Sequence, residues 1–129
     1  MTMPDPLFRK IDCLMFNVGD IEAALNFYRD KLELPLVWRT EKGAGLGVGE
    51  SELVIRQGPP KTPETDIEVN SAEQAANRFV EAGGSIVVDP FDIKIGRCVV
   101  VADPWGNQLV LLDSTKGLLK TDKDGNVIP

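Results

Sequence analysis

Val18-Gly-Asp-Ile-Glu-Ala-Ala-Leu-Asn-Phe-Tyr28 and Val69-Asn-Ser-Ala-Glu-Gln-Ala-Ala-Asn-Arg-Phe79 are one passage written twice, with identities at Val18/Val69, Glu22/Glu73, Ala24/Ala75 and Asn26/Asn77. The repeat also holds in helical phase. Ile21, Ala24, Leu25 and Tyr28, with Leu32 beyond, recur at the spacing of one apolar helix face, and Ala72, Ala75, Ala76 and Phe79 take the same places in the second copy. A chain that repeats at this period is built from two copies of one supersecondary unit, and neither copy can bury its apolar face alone.

Outward from the repeat, Ile11 to Val18 is almost continuously apolar and stops at Gly19-Asp20, the pattern of a buried strand followed by a helix N-cap. The spacing after Asp20 predicts an α-helix of about three turns. In the second copy Ile67 to Val69 is the strand, Ser71 the cap, and Gln74 completes a capping box. Three short β-type runs follow each helix: Leu36 to Thr40, Ala44 to Val48 and Glu52 to Gln57, then Ser85 to Asp89, Arg97 to Ala102 and Gln108 to Asp113. The expected class is therefore α+β, with one βαβββ module over residues 10–57, a proline-rich linker over 58–63, a second module over 64–113 and a tail over 114–129. Gly83-Gly84 reads as the C-terminal cap of the second helix, and Asp103-Pro-Trp-Gly-Asn107 as the turn between the last two strands. Asp122-Lys-Asp-Gly-Asn126 lacks the glutamate that closes a calcium loop, which leaves a hairpin turn or a flexible end.

Composition narrows the function. The 129 residues are 43% hydrophobic and 26% charged, as in an ordinary globular protein. A formal charge of −6 supplies no basic stripe for nucleic acid and favours a cationic small molecule over a phosphate. Cys13 and Cys98 lack the spacing of a zinc knuckle or a disulfide framework. They read as buried thiols of a cytoplasmic protein, and no apolar run reaches bilayer length. The chain contains no histidine.

Asn17-Val-Gly-Asp-Ile-Glu-Ala-Ala-Leu-Asn-Phe-Tyr-Arg-Asp-Lys-Leu32 resembles the helix signature of the vicinal oxygen chelate superfamily, which includes glyoxalase I, the fosfomycin- and bleomycin-resistance proteins and the extradiol dioxygenases. Asp103-Pro-Trp-Gly-Asn107 resembles its late turn, where Asp-Pro-Asp-Gly-Asn is usual. The resemblance, from about Cys13 to Leu112, implies two βαβββ modules forming a curled mixed sheet around a funnel, usually in a homodimer, with metal ligands on the first strand of each module and the last strand of the second. Carried over by position, the first histidine of the family falls on Cys13, the second on Glu64 and the late glutamate on Val110, while Glu52 matches a further glutamate of some members. Val110 has no donor atom, so the usual metal centre is not expected. A glycine is also usual where the first helix ends; here Leu32-Glu33-Leu34-Pro35 requires Glu33 to turn left-handed at a cost of ~1 kcal/mol, or the helix to end differently.

The expected ligand-binding residues are Cys13, Trp38, Glu52, Arg56, Glu64 and Val110, with neither metal nor cofactor. Glu52, Val54 and Arg56 share one face of their strand and Leu53 and Ile55 the other, so the polar pair faces away from the helix if the apolar pair meets it. Gly43, Gly45, Gly47 and Gly49 leave one strand face bare, a surface on which Trp38 can lie. Trp105 on a turn reads as an interface residue. The expected function is metal-independent binding of a small polar or cationic molecule, of bleomycin-resistance type. The rivals are a glyoxalase-type lyase or isomerase, or dioxygenase-related enzyme, using Glu64 or Glu52 as a general base, and an interaction module with a closed cavity.

Overall fold

A computed structural model describes residues 6–129. Its strands are β1 (Lys10–Val18), β2 (Leu36–Arg39), β3 (Gly43–Val48), β4 (Ser51–Gln57), β5 (Glu64–Glu68), β6 (Ser85–Ile93), β7 (Gly96–Ala102) and β8 (Gln108–Leu112), and its α-helices are α1 (Ile21–Leu25) and α2 (Ala72–Glu81). Two compact units emerge: a first of residues 12–65 with 119–129, and a second of 66–118 with 6–11. The order is βαβββ in each module, as the repeat requires, and the class is α+β.

In the first unit the strands run β2-β3-β4-β1. β1 lies parallel to β4, with Cys13 opposite Glu52 and Val18 opposite Gln57, and β3 is antiparallel to both β2 and β4. Asp20 caps α1 by accepting from Ala23 N–H at 3.0 Å. Ile21, Ala24 and Leu25 then bury against Ala44, Leu46 and Ile55. Beyond Leu25 the helix departs from the α spacing, because Asn26–Lys31 is π-helical and Leu32 N–H donates to Phe27 O at 3.0 Å. The wider turn rotates later residues out of phase: Tyr28 stays against the core, whereas Leu32 is 52% exposed. Glu33 takes the left-handed conformation, φ 61°.

The tail is a turn that closes on the edge of this sheet. Arg39 N–H donates to Gly125 O at 2.8 Å and Val127 N–H donates to Arg39 O at 2.9 Å, which occupies backbone groups that an edge strand otherwise exposes. Asp122 Oδ1 accepts from Asp124 N–H at 2.9 Å and Asn126 N–H at 3.0 Å, the same scheme by which Asp103 Oδ1 accepts from Trp105 N–H at 2.9 Å and Asn107 N–H at 2.8 Å. Asp-x-x-Gly-Asn thus occurs twice as one folded turn.

In the second unit the order is β5-β8-β7-β6, with β5 parallel to β8 and Asp66 opposite Val110. Ser71 Oγ accepts from Gln74 N–H at 3.2 Å to start α2. At its end Gly83 has φ 111°, Gly84 N–H donates to Phe79 O at 2.9 Å and Gly83 N–H to Val80 O at 3.0 Å, a Schellman motif. Ala72, Ala75 and Ala76 pack on Ile67, Val69, Val99, Val101 and Leu111. Small residues on the helix bring it close to the branched side chains of the sheet.

One tertiary device recurs in both units. Ile21 N–H, the first of α1, donates to Gln57 Oε1 at 3.0 Å, and Ala72 N–H, the first of α2, donates to Asp113 Oδ2 at 2.8 Å. Both acceptors stand where the strand parallel to the module's first strand ends, so each helix is held at its start from the sheet as well as by its own cap.

Candidate functional site

Strand alternation gives the first unit's sheet a second face. Phe16, Val18, Leu53 and Ile55 turn to the α1 side, whereas Cys13, Met15 and Val54 form a separate buried cluster with Trp38 against it. Trp38 reaches that face through an irregularity. Leu36 packs on the α1 side, and two residues later Trp38 ought to do the same, but the register with β3 shifts between them and Val37 becomes the extra residue of a bulge. The indole therefore lies over Gly45, where a β-carbon would collide with Trp38 Nε1 and Glu52 Oε1. Trp38 Nε1 donates to Glu52 Oε1 at 2.6 Å, which gives the half-buried indole N–H its partner.

Beside this cluster an open cavity of about 320 Å³ is lined by Trp38, Thr40, Lys42, Gly43, Arg56 and Gln57. Arg56 stands opposite Gly43 in the β3–β4 register, and Gln57 N–H donates to Lys42 O at 2.7 Å, so strand pairing fixes the backbone from which both cations project.

The residues expected from sequence are thus distributed unevenly. Cys13, Trp38 and Glu52 come together in the first unit, and Arg56 shares the cavity with Trp38. Glu64 opens β5 and is half-buried. Val110 belongs to the second unit, buried with Cys98 and Leu112 on the face away from α2. Asp66, also in the second unit and only 8% exposed, is a carboxylate the sequence reading passed over. Its signal was the alternation Glu64, Asp66, Glu68 against Ile67 and Val69, which pack under α2.

Residues 10–111 match the family described as Glyoxalase/Bleomycin resistance protein/Dioxygenase superfamily. The chain belongs to this superfamily. Among solved structures it is similar to a hypothetical protein from Bacillus halodurans, with a TM-score of 0.70 and 20% identity over 86% of this chain and 98% of that one. It is similar also to methylmalonyl-CoA epimerase from Mycobacterium tuberculosis, with a TM-score of 0.70 and 17% identity over 88% and 92% of the two chains. Homoprotocatechuate 2,3-dioxygenase from Arthrobacter globiformis gives a TM-score of 0.64 and 23% identity over 92% of this chain and 40% of that longer one. Such identities establish the fold alone. No curated protein matches the chain in sequence.

A metal of the kind the superfamily resemblance implies does not fit the donors of this member. Val110 offers none, Cys13 and Glu52 face each other on neighbouring strands, and Glu52 is engaged by the indole. Among the described residues no three His, Cys, Asp or Glu side chains are grouped so as to hold a metal ion. Also among them, no helix is long and apolar enough to cross a membrane.

Proposed function

We propose that this superfamily member binds a small polar molecule without a metal, in the manner the bleomycin-resistance branch implies, on the sheet face opposite α1. The observation that carries the reading is the seating of Trp38: a bulge turns it onto a strand stripped of side chains, its N–H is held by Glu52, and it borders an open cavity. An aromatic wall beside a few orienting polar groups is the usual make-up of a small-molecule site. Homodimerisation belongs to the same proposal, supported by Trp105, which is 81% exposed on the β7–β8 turn and would be sheltered by a second copy.

A thermal-shift screen with and without chelator tests the binding, because a ligand of the native state raises stability by RT ln(1 + [L]/Kd). Hits that act equally in chelator and are lost in Trp38→Ala are expected. Hits that vanish in chelator, or persist in Trp38→Ala, would overturn the reading.

A further inference from the structure

We propose that the cavity bordered by Trp38 takes an organic anion, specifically a carboxylate carried on a flat ring. Arg56 and Lys42 hold the carboxylate, and the ring lies against Trp38. This inference deepens the small-molecule reading above and rests on it.

The donors and acceptors that line the cavity favour an anion. Lys42 and Arg56 bring donors only, and neither makes an ion pair among the described residues. The lining acceptor Gln57 Oε1 already accepts from Ile21 N–H at 3.0 Å, which leaves its amide NH2 as the group to offer. Glu52, the carboxylate on the same strand face, accepts from Trp38 at 2.6 Å. Thr40 Oγ, also in the lining, can donate as well as accept, so a site whose charged lining residues are two cations is complementary to an anion. A cation entering it would meet like charges. Arg56 suits a carboxylate in particular, since its planar fork matches the two oxygens, while Lys42 adds a point charge. Its backbone is held opposite Gly43 in the register, and Lys42 directly precedes Gly43 in the bend before β3, so the two cations reach the cavity from neighbouring stretches of chain.

The formal charge of −6 is a property of the whole chain, and by itself it favours a cation. At physiological ionic strength exposed charges are screened beyond about 8 Å, so a bound ligand responds to the charges lining its cavity. The ring requirement comes from Trp38, which is the aromatic residue of the lining and is kept in place by its bond to Glu52.

The chain has two tryptophans, so Trp105→Phe leaves Trp38 as the sole tryptophan, which can be excited apart from Tyr28. That protein is titrated with benzoate, with benzylamine as the probe of reversed charge and acetate as the anion without a ring, by Trp38 fluorescence and calorimetry. Saturable binding of benzoate is expected, at least tenfold tighter than either control. Arg56→Gln and Lys42→Gln should each weaken it at least tenfold, with melting temperatures within about 3 °C of the parent because both side chains are exposed. Arg56→Lys should recover part of the loss. Benzylamine binding as tightly as benzoate at Trp38 would overturn the anion assignment and leave the small-molecule reading standing. Acetate equal to benzoate would overturn the ring. Benzoate binding unchanged in Arg56→Gln and Lys42→Gln would overturn the assignment of the two cations. No Trp38 response to benzoate, alongside chelator-independent screening hits, would overturn the inference alone, and no response to any compound would remove the parent reading too.

Discussion

Gly45 and Gly96 show what a missing side chain can do. A β-carbon at Gly45 would occupy the place of the Trp38 indole edge and the Glu52 carboxylate, so Gly45→Ala is expected to cost about 2 kcal/mol and to shift Trp38 emission to the red as the ring is expelled. Urea denaturation and fluorescence check both, and unchanged emission would contradict the packing. Gly96 leaves room in the same way for Asp113, which is 3% exposed and accepts from Ala72 N–H, Arg97 N–H and Thr115 Oγ–H at 2.8, 2.9 and 2.9 Å. Burial alone would push the Asp113 carboxyl up, but bonds from Ala72, Arg97 and Thr115 outweigh it and hold the group below the ordinary aspartate value. A folded value below the unfolded one, which lies near about 3.9, means a stabilising contribution that is complete above the unfolded value and lost as pH falls through the folded one. Asp113→Asn should therefore melt below wild type at about pH 6, with the gap narrowing as pH falls below the unfolded value. A gap that stays constant across that range would refute the assignment.

Among the elements, the first helix is the one whose pattern misleads. Its apolar spacing is α-like through Leu32, yet the chain widens into a π turn at Asn26 and closes through a left-handed Glu33 in place of the usual glycine. Glu33→Gly should raise stability by about 0.5–1 kcal/mol, since the strain of a side chain at φ 61° exceeds the extra unfolded-state entropy of glycine. A higher urea midpoint with an unchanged slope is the expected result, and a lower midpoint would show that Glu33 is not strained. The tail shows the reverse case, an element with little local pattern that pairing organises. Removal of residues 119–129 should speed hydrogen exchange at the Arg39 amide, whose acceptor Gly125 O is then gone, well before it affects the amides of β7. Equal protection of Arg39 with and without the tail would mean that the bridge is not formed in solution.

For the whole molecule, the donor set leads to a direct expectation. Elemental analysis of the purified protein should find no stoichiometric zinc, iron, nickel or manganese; about one equivalent per chain that survives dialysis and disappears in Cys13→Ala would reverse it. What was legible in the sequence follows from local periodicity. The succession of elements along the chain, both N-caps, the Gly83 cap and the second helix stripe each depend on residues within a few positions of one another, and the repeat sets two such local patterns side by side, so each could be read before any long-range contact was known. Even the seat of Trp38 on the glycine strand was foreshadowed, because alternate glycines leave a face that only a distant side chain can fill. The tertiary structure decided the rest. The β2 bulge that turns Trp38 to the far face, the burial of Asp66, the docking of Gly125 on Arg39, and the pinning of helix starts by Gln57 and Asp113 all depend on how separate segments pair, from the neighbouring strands β2 and β3 to partners tens of residues apart. A single step of register exchanges the two faces of a strand. Local residue preference is blind to that choice, and only the closed set of hydrogen bonds settles it.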